Sequence, residues 1–87
     1  MSVELELRVR YFASIREALG RSDEAVRTRA GTLGELRDEL IARGGAYADA
    51  LARQRPVRLA LNQDLRDEST PLVAGAEVAF FPPVTGG

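Results

Sequence analysis

Three side chains that carry much of protein chemistry are missing from this sequence: it has no cysteine, no histidine and no lysine. Without cysteine there are no disulfides, no thiolate metal sites and no thiol nucleophile, so a small fold must be held by packing alone. Without histidine, the usual proton shuttle at neutral pH and the commonest metal ligand are both gone. Without lysine, the chain offers no ε-amine on which an isopeptide-linked series of copies could grow. All 12 basic residues are arginine, a usage that a genome rich in G and C suffices to explain, and they are scattered among 13 acidic residues for a formal net charge of -1. No basic stripe forms, which argues against nucleic acid as a partner. Long hydrophobic runs are missing too. Met1 to Arg10 alternates charged and apolar residues, so neither a signal peptide nor a membrane span is expected there, and the expected location is the cytoplasm.

What is present is a chain of 87 residues, 45% of them hydrophobic, spaced at regular intervals. That length suits one domain, near the lower end of what folds alone, and that hydrophobicity excludes a disordered polar chain. From Val3 to Tyr11, apolar Val3, Leu5, Leu7, Val9 and Tyr11 alternate with charged residues, the period of a half-buried strand. Ser14 and Glu17 have capping-box spacing, Ile15 and Leu19 lie one turn apart, and Gly20 can close a short helix. Glu24 to Arg29 reads as a second strand at a sheet edge. Thr32 and Glu35 repeat the capping-box spacing, and Leu33, Leu36, Leu40 and Ile41 share one face of the main helix before Gly44 and Gly45 stop it. A further short helix over Ala46 to Arg53 carries Tyr47 and Leu51 and ends before Pro56. Val57, Leu59 and Leu61 give another strand, followed by a polar turn at Asn62 to Asp64 and a polar connection with room for one short strand. Glu77 to Phe81 is the last strand, with Val78 and Phe80 on one face and Ala79 and Phe81 on the other.

Strands around one substantial helix argue for an α+β domain in which that helix lies across a mixed sheet of four to five strands, with short additional helices. The ubiquitin-like β-grasp is the simplest such arrangement, and in it the first and last strands run parallel in the middle of the sheet. The chain divides into a β-grasp domain over residues 1–81 and an extended tail over residues 82–87.

That tail, Pro82, Pro83, Val84, Thr85, Gly86 and Gly87, has no apolar period. The two prolines fix φ and favour an extended path away from the sheet. Gly86 and Gly87 then remove every side chain from the last two positions, so the backbone can enter a channel too narrow for other residues. Two terminal glycines alone are most simply a frayed end. A stiff proline lead and a β-grasp pattern upstream turn them into a candidate reactive terminus. A terminal carboxylate, with a reference pKa of about 3.3 to 3.7, is a poor acyl donor until an activating group replaces one oxygen. Adenylation in a partner enzyme would supply that group, and a sulfur nucleophile displacing AMP would leave a thiocarboxylate.

The run Val78-Ala79-Phe80-Phe81-Pro82-Pro83-Val84-Thr85-Gly86-Gly87 resembles the ending of molybdopterin synthase small subunits. So do Val9-Arg10-Tyr11-Phe12-Ala13 through Ile15-Arg16-Glu17, and Leu61-Asn62-Gln63. The resemblance covers essentially the whole chain, although Gly45 to Arg55 has no matching motif. It implies a ubiquitin-like sulfur carrier. Its Gly87, preceded by the required Gly86, is adenylated by an E1-like activating enzyme that uses ATP, then converted to a thiocarboxylate and inserted into the large catalytic subunit of molybdopterin synthase. Sulfur passes there to cyclic pyranopterin monophosphate, and two rounds build the dithiolene of molybdopterin. The same resemblance implies a two-plus-two assembly, tail insertion through Pro82, Pro83, Val84 and Thr85, and partner contact through Phe81. The carrier itself is expected to bind no metal or other cofactor.

Two other readings use the same terminus: a ubiquitin-like protein modifier joined through Gly87 to lysines of other proteins, and a thiamin-type sulfur carrier. A self-contained enzyme is the weakest reading, because scattered Asp and Glu residues would have to supply acid–base chemistry from a cleft and no spacing singles out a pair. Arg16 could meet an acidic residue of a partner, but a solvated helix face explains it more simply.

Overall fold

A computed structural model describes residues 3–83. In chain order the elements are β1 (Leu5–Tyr11), α1 (Ala13–Leu19), β2 (Asp23–Thr28), α2 (Leu33–Ile41), α3 (Gly45–Ala50), β3 (Arg58–Leu61), β4 (Asp64–Arg66) and β5 (Glu77–Phe81). The strands form one mixed sheet in the order β2-β1-β5-β3-β4. β1 runs parallel to β5, and the β1–β2, β3–β5 and β3–β4 pairs are antiparallel. This is the β-grasp: β5 lies in the middle, and β2 is an edge strand as its sequence suggested.

Period-two alternation decides which side chains enter the core. Leu7, Val9 and Tyr11 of β1, Val26 of β2, Leu59 of β3, and Val78 and Phe80 of β5 are all buried. Leu33, Leu36 and Leu40 of α2 are fully buried over them. Each such side chain contributes about 1.5 to 3 kcal/mol relative to exposure. Thr32 caps α2, its hydroxyl accepting from the Glu35 amide at 3.2 Å. The Glu35 carboxylate accepts from the Gly31 amide at 2.8 Å, one residue ahead of the position the capping box predicts. Gly34 is the close approach: a Cβ built there would lie 2.9 Å from Glu68 Cβ.

Two sequence-based expectations are corrected. Ser14 is not a cap. α1 starts two residues earlier, with Phe12 at the N-cap and no side-chain hydrogen bond, because the Phe12 amide is bonded to the Phe80 carbonyl at 3.1 Å and Ala13 turns sharply at φ 52°. Gly20 does close α1, in the left-handed region at φ 72°, with its amide on the Arg16 carbonyl. The strand alternation at Val3 extends past the ladder, whose last rung pairs Leu5 with Thr28, and Val3 is 71% exposed. β2 stops there because Thr28 turns its hydroxyl inward, donating to Glu39 at 2.7 Å and accepting from the Ala30 amide at 2.9 Å. The β3–β4 hairpin turns on Asn62 and Gln63, both at positive φ (50° and 72°), as a two-residue primed turn requires. Among the described residues, no helix is long and apolar enough to cross a membrane.

Candidate functional site

β5 ends at Phe81, and the expected site residues Pro82 and Pro83 follow it, half-buried, at one end of the sheet's middle strand. Val84, Thr85, Gly86 and Gly87 lie outside the described residues. Because β1 and β5 are parallel, this exit is at the Tyr11 end of β1, where α1 also begins.

Alternation at the end of β5 sends its two phenylalanines to opposite sides. Phe80 is fully buried and stacks on Tyr11, with ring centroids 6.1 Å apart. Phe81 lies on the open face, half-buried, with its ring edge-on to Phe12 at 6.5 Å and 88°. The Arg10 guanidinium caps the Phe12 ring at 5.0 Å and reaches Glu77 at 3.6 Å.

The open face is shaped by a single rung across four strands. Arg10 of β1 is level with Ala79 of β5, Ala79 with Ala60 of β3, and Ala60 with Leu65 of β4. The two alanines make a low floor between Leu65, which is 64% exposed, and the Phe81–Phe12 pair, leaving a shallow depression of about 710 Å³. A second, narrower groove of about 340 Å³ lies between α1 and the stretch ahead of β3. Pro82 and Pro83 line both depressions and form the ridge between them. A mainly apolar patch beside the end of the central strand is a candidate protein-docking surface. Phe12, Ala60 and Leu65 were not singled out as site residues from the sequence. The polar turn at Asn62 to Asp64 held the signal for two of them, since a two-residue loop sets Leu65 opposite Ala60.

Behind the exit, two polar clusters hold the framework. Glu24 accepts from the hydroxyls of Tyr11 (2.7 Å) and Tyr47 (2.6 Å) and from Arg21 (3.0 Å) and Arg43 (3.1 Å), so one carboxylate ties β1, β2, α3 and two connections together. Burial works to raise the Glu24 pKa, but the hydrogen bonds from Tyr47, Tyr11 and Arg43 outweigh it and hold the carboxyl below its ordinary value. Burial first, and then the Glu24 carboxylate, push the Tyr11 hydroxyl well above its ordinary value.

The second cluster centres on Arg37 of α2, which is only 4% exposed. It donates to the carbonyls of Leu51 (2.8 Å), Ala52 (2.7 Å) and Arg55 (3.2 Å) and to Glu68 (2.8 Å). Glu68 also accepts from Arg53, which lowers its pKa against the opposing effect of burial, and Arg37 lowers it further. An arginine beside Leu36 and Asp38 reads as helix surface in the sequence, and nothing local marks it as buried. Arg16 is exposed on α1.

A profile of the ThiS family matches residues 9–87. The molybdopterin synthase sulfur carrier subunit of Escherichia coli is 40% identical over 81 residues, covering 93% of this chain and 99% of that protein. Among solved structures, one is a protein–protein complex of subunits 1 and 2 of molybdopterin-converting factor from Helicobacter pylori. It matches with a TM-score of 0.62 and 32% identity, covering 95% of this chain and 100% of the matched one. SAMP1, the small archaeal modifier protein 1 of Haloferax volcanii, matches with a TM-score of 0.73 and 25% identity, covering 94% of this chain and 99% of that one. With the β-grasp sheet in place, the family profile matched through Gly87 and a 40%-identical relative aligned over nearly its full length, the chain belongs to the ThiS family, alongside the molybdopterin synthase sulfur carrier subunits.

Proposed function

We propose that this chain is the sulfur carrier subunit of a molybdopterin synthase and that the carboxyl group of Gly87, taken as its last residue, carries the sulfur. The observation that carries the reading is the 40% identity to the Escherichia coli carrier over 99% of that protein's length, with the family match reaching Gly87. The placement of Phe81, Pro82 and Pro83 at the end of the central strand, beside an apolar depression, supports it.

The chemistry runs as follows. The Gly87 carboxylate attacks the α-phosphorus of ATP in an adenylating enzyme, and pyrophosphate leaves. A hydrosulfide-level nucleophile displaces AMP from the acyl adenylate, giving the thiocarboxylate. Inside the large catalytic subunit, the thiocarboxylate sulfur displaces an oxygen substituent of cyclic pyranopterin monophosphate, water cleaves the resulting acyl–sulfur bond, and the released carboxylate is adenylated and sulfurated again before a second round. With neither histidine nor cysteine and no carboxylate pair that its spacing singles out, the carrier leaves the bond-making groups to its partners, and ATP is used by the activating enzyme. In this division of labour the chain contributes a docking face and a narrow, side-chain-free terminus, not a catalytic centre. The large subunit docks on the open face through Phe81, Phe12 and Leu65, and that contact leaves the terminus pointing into its channel. The complex of the two Helicobacter pylori subunits supports such a partner.

Likeness to SAMP1 supports a second reading, a protein modifier that would use the same activated glycine. Intact mass after incubation with ATP, a sulfur donor and the activating enzyme separates the two. The carrier reading expects a gain equal to exchange of one oxygen for sulfur, lost when Gly87 is deleted, with folding unchanged because the tail lies past the last strand. Adducts on other proteins without that species would establish the modifier, and an unreactive terminus would end both.

A further inference from the structure

Pro82 and Pro83 leave the sheet with no amide hydrogen to donate, so the ladder cannot guide them and contact must. The β3–β5 register pairs Arg58 with Phe81. Continued past the ladder, it brings Val57 across from Pro82 and Pro56 across from Pro83, and these four residues share the narrow groove. Whatever places Pro56 and Val57 therefore sets the course of the tail. These two residues lie outside any regular element, and the stretch just before them is held by Arg37. Its guanidinium bonds the carbonyls of Leu51, Ala52 and Arg55 at 2.7 to 3.2 Å, while the Arg55 amide closes a turn on Ala52 at 2.9 Å. The ion partner of Arg37, Glu68, is 37% exposed, so the buried guanidinium is satisfied mainly by these backbone carbonyls. Three carbonyls gathered by one rigid planar fork are what an arginine provides and a leucine does not.

We infer that Arg37 is a positioning residue for the tail: by clamping Leu51 to Arg55 it fixes Pro56 and Val57, the surface along which Pro82 and Pro83 depart toward a partner's channel. The inference rests on the sulfur-carrier reading. It separates two jobs, with the open face around Phe81 setting affinity and the Arg37 clamp setting where the terminus arrives.

The test uses the full chain carrying its thiocarboxylate, mixed with the large subunit and cyclic pyranopterin monophosphate in single turnover. Two variants are compared, R37K, which keeps the charge but loses the fork, and P56G, which loosens the same segment at an exposed position and leaves the Arg37 side chain in place. At a temperature where melting curves show each variant folded, the rate at saturating large subunit should fall about tenfold or more, since small misplacements of reacting groups are costly. Kd for the large subunit should stay within about twofold, because the contacts that set affinity are intact. A lower melting temperature with an unchanged saturated rate, or a loss confined to Kd, would overturn the positioning role. P56G keeps the question answerable if R37K fails to fold. Failure of the unaltered chain to transfer sulfur would overturn the carrier reading itself and this inference with it.

Discussion

Truncating Phe80 and Phe81 to alanine, one at a time, should separate folding from partner binding, because the two neighbours face opposite sides of the sheet. Phe80 has no exposed surface and stacks on Tyr11. Phe80→Ala removes a core ring and leaves a cavity, which costs about 3 to 5 kcal/mol. A domain of this length has about 4 to 13 kcal/mol in total, at roughly 0.05 to 0.15 kcal/mol per residue, so the variant should lose much of its stability or fail to fold. Phe81 is half-buried and its described aromatic contact is the edge of Phe12. Phe81→Ala therefore costs about 0.5 to 1.5 kcal/mol for that pair, plus a share of lost burial. If it anchors the interface, binding to the large subunit weakens by about 1 to 4 kcal/mol, or roughly fivefold to a thousandfold in Kd. Thermal denaturation reads the first quantity, and titration calorimetry with the large subunit reads the second. Unaltered affinity of Phe81→Ala for both the large subunit and the activating enzyme would remove Phe81 from the interface. A Phe80→Ala protein as stable as the parent would refute the assignment of the two faces.

Glu24→Gln tests the carboxylate hub. The folded-state pKa of Glu24 lies below its ordinary value of 4.5, so its stabilising effect is fully present above that pH and is lost as pH falls through the folded value. At neutral pH the variant should lose about 1 to 3 kcal/mol, and its melting temperature should drop by about 5 to 20 °C. The gap should narrow as pH falls below 4.5 and through the lowered folded-state value, and a gap that stays constant with pH would show that Glu24 is not ionised in the hub. Gly34→Ala sets two effects against each other. Alanine gains about 1 kcal/mol of helix propensity, but its Cβ would sit 2.9 Å from Glu68 Cβ and 3.1 Å from the Glu68 carbonyl oxygen. Overpacking of about 1 to 3 kcal/mol should win, and chemical denaturation giving a more stable variant would contradict the close approach.

Much of the architecture is legible before any coordinates, because it depends on local periodicity. The alternation over β1 and β5, the Thr32 cap and the leucine stripe of α2 all follow from spacing, and β5 was expected at the residues where it lies. Boundaries were less legible where a neighbour decides them. Ser14 has the spacing of a cap, yet α1 begins ahead of it because a β1–β5 backbone bond turns the chain at Phe12. Val3 has the alternation of a strand, yet β2 offers it no partner.

The candidate site divides in the same way. The chemistry proposed for the terminus was read from the order of prolines and glycines, which is a property of consecutive residues and needs no fold. Tertiary structure alone brought Phe12 against Phe81 and lined up Arg10, Ala79, Ala60 and Leu65 across four strands. It alone turned Arg37 inward onto carbonyls 14 to 18 residues away along the chain. Sequence by itself determined the longer strands and the main helix and gave the order of prolines and glycines at the end, because backbone and side-chain preferences act over a few neighbours. Only the folded sheet decided the proposed docking face and the Arg37 clamp behind it, because both are made by residues far apart in the chain, whose contacts depend on strand order and register.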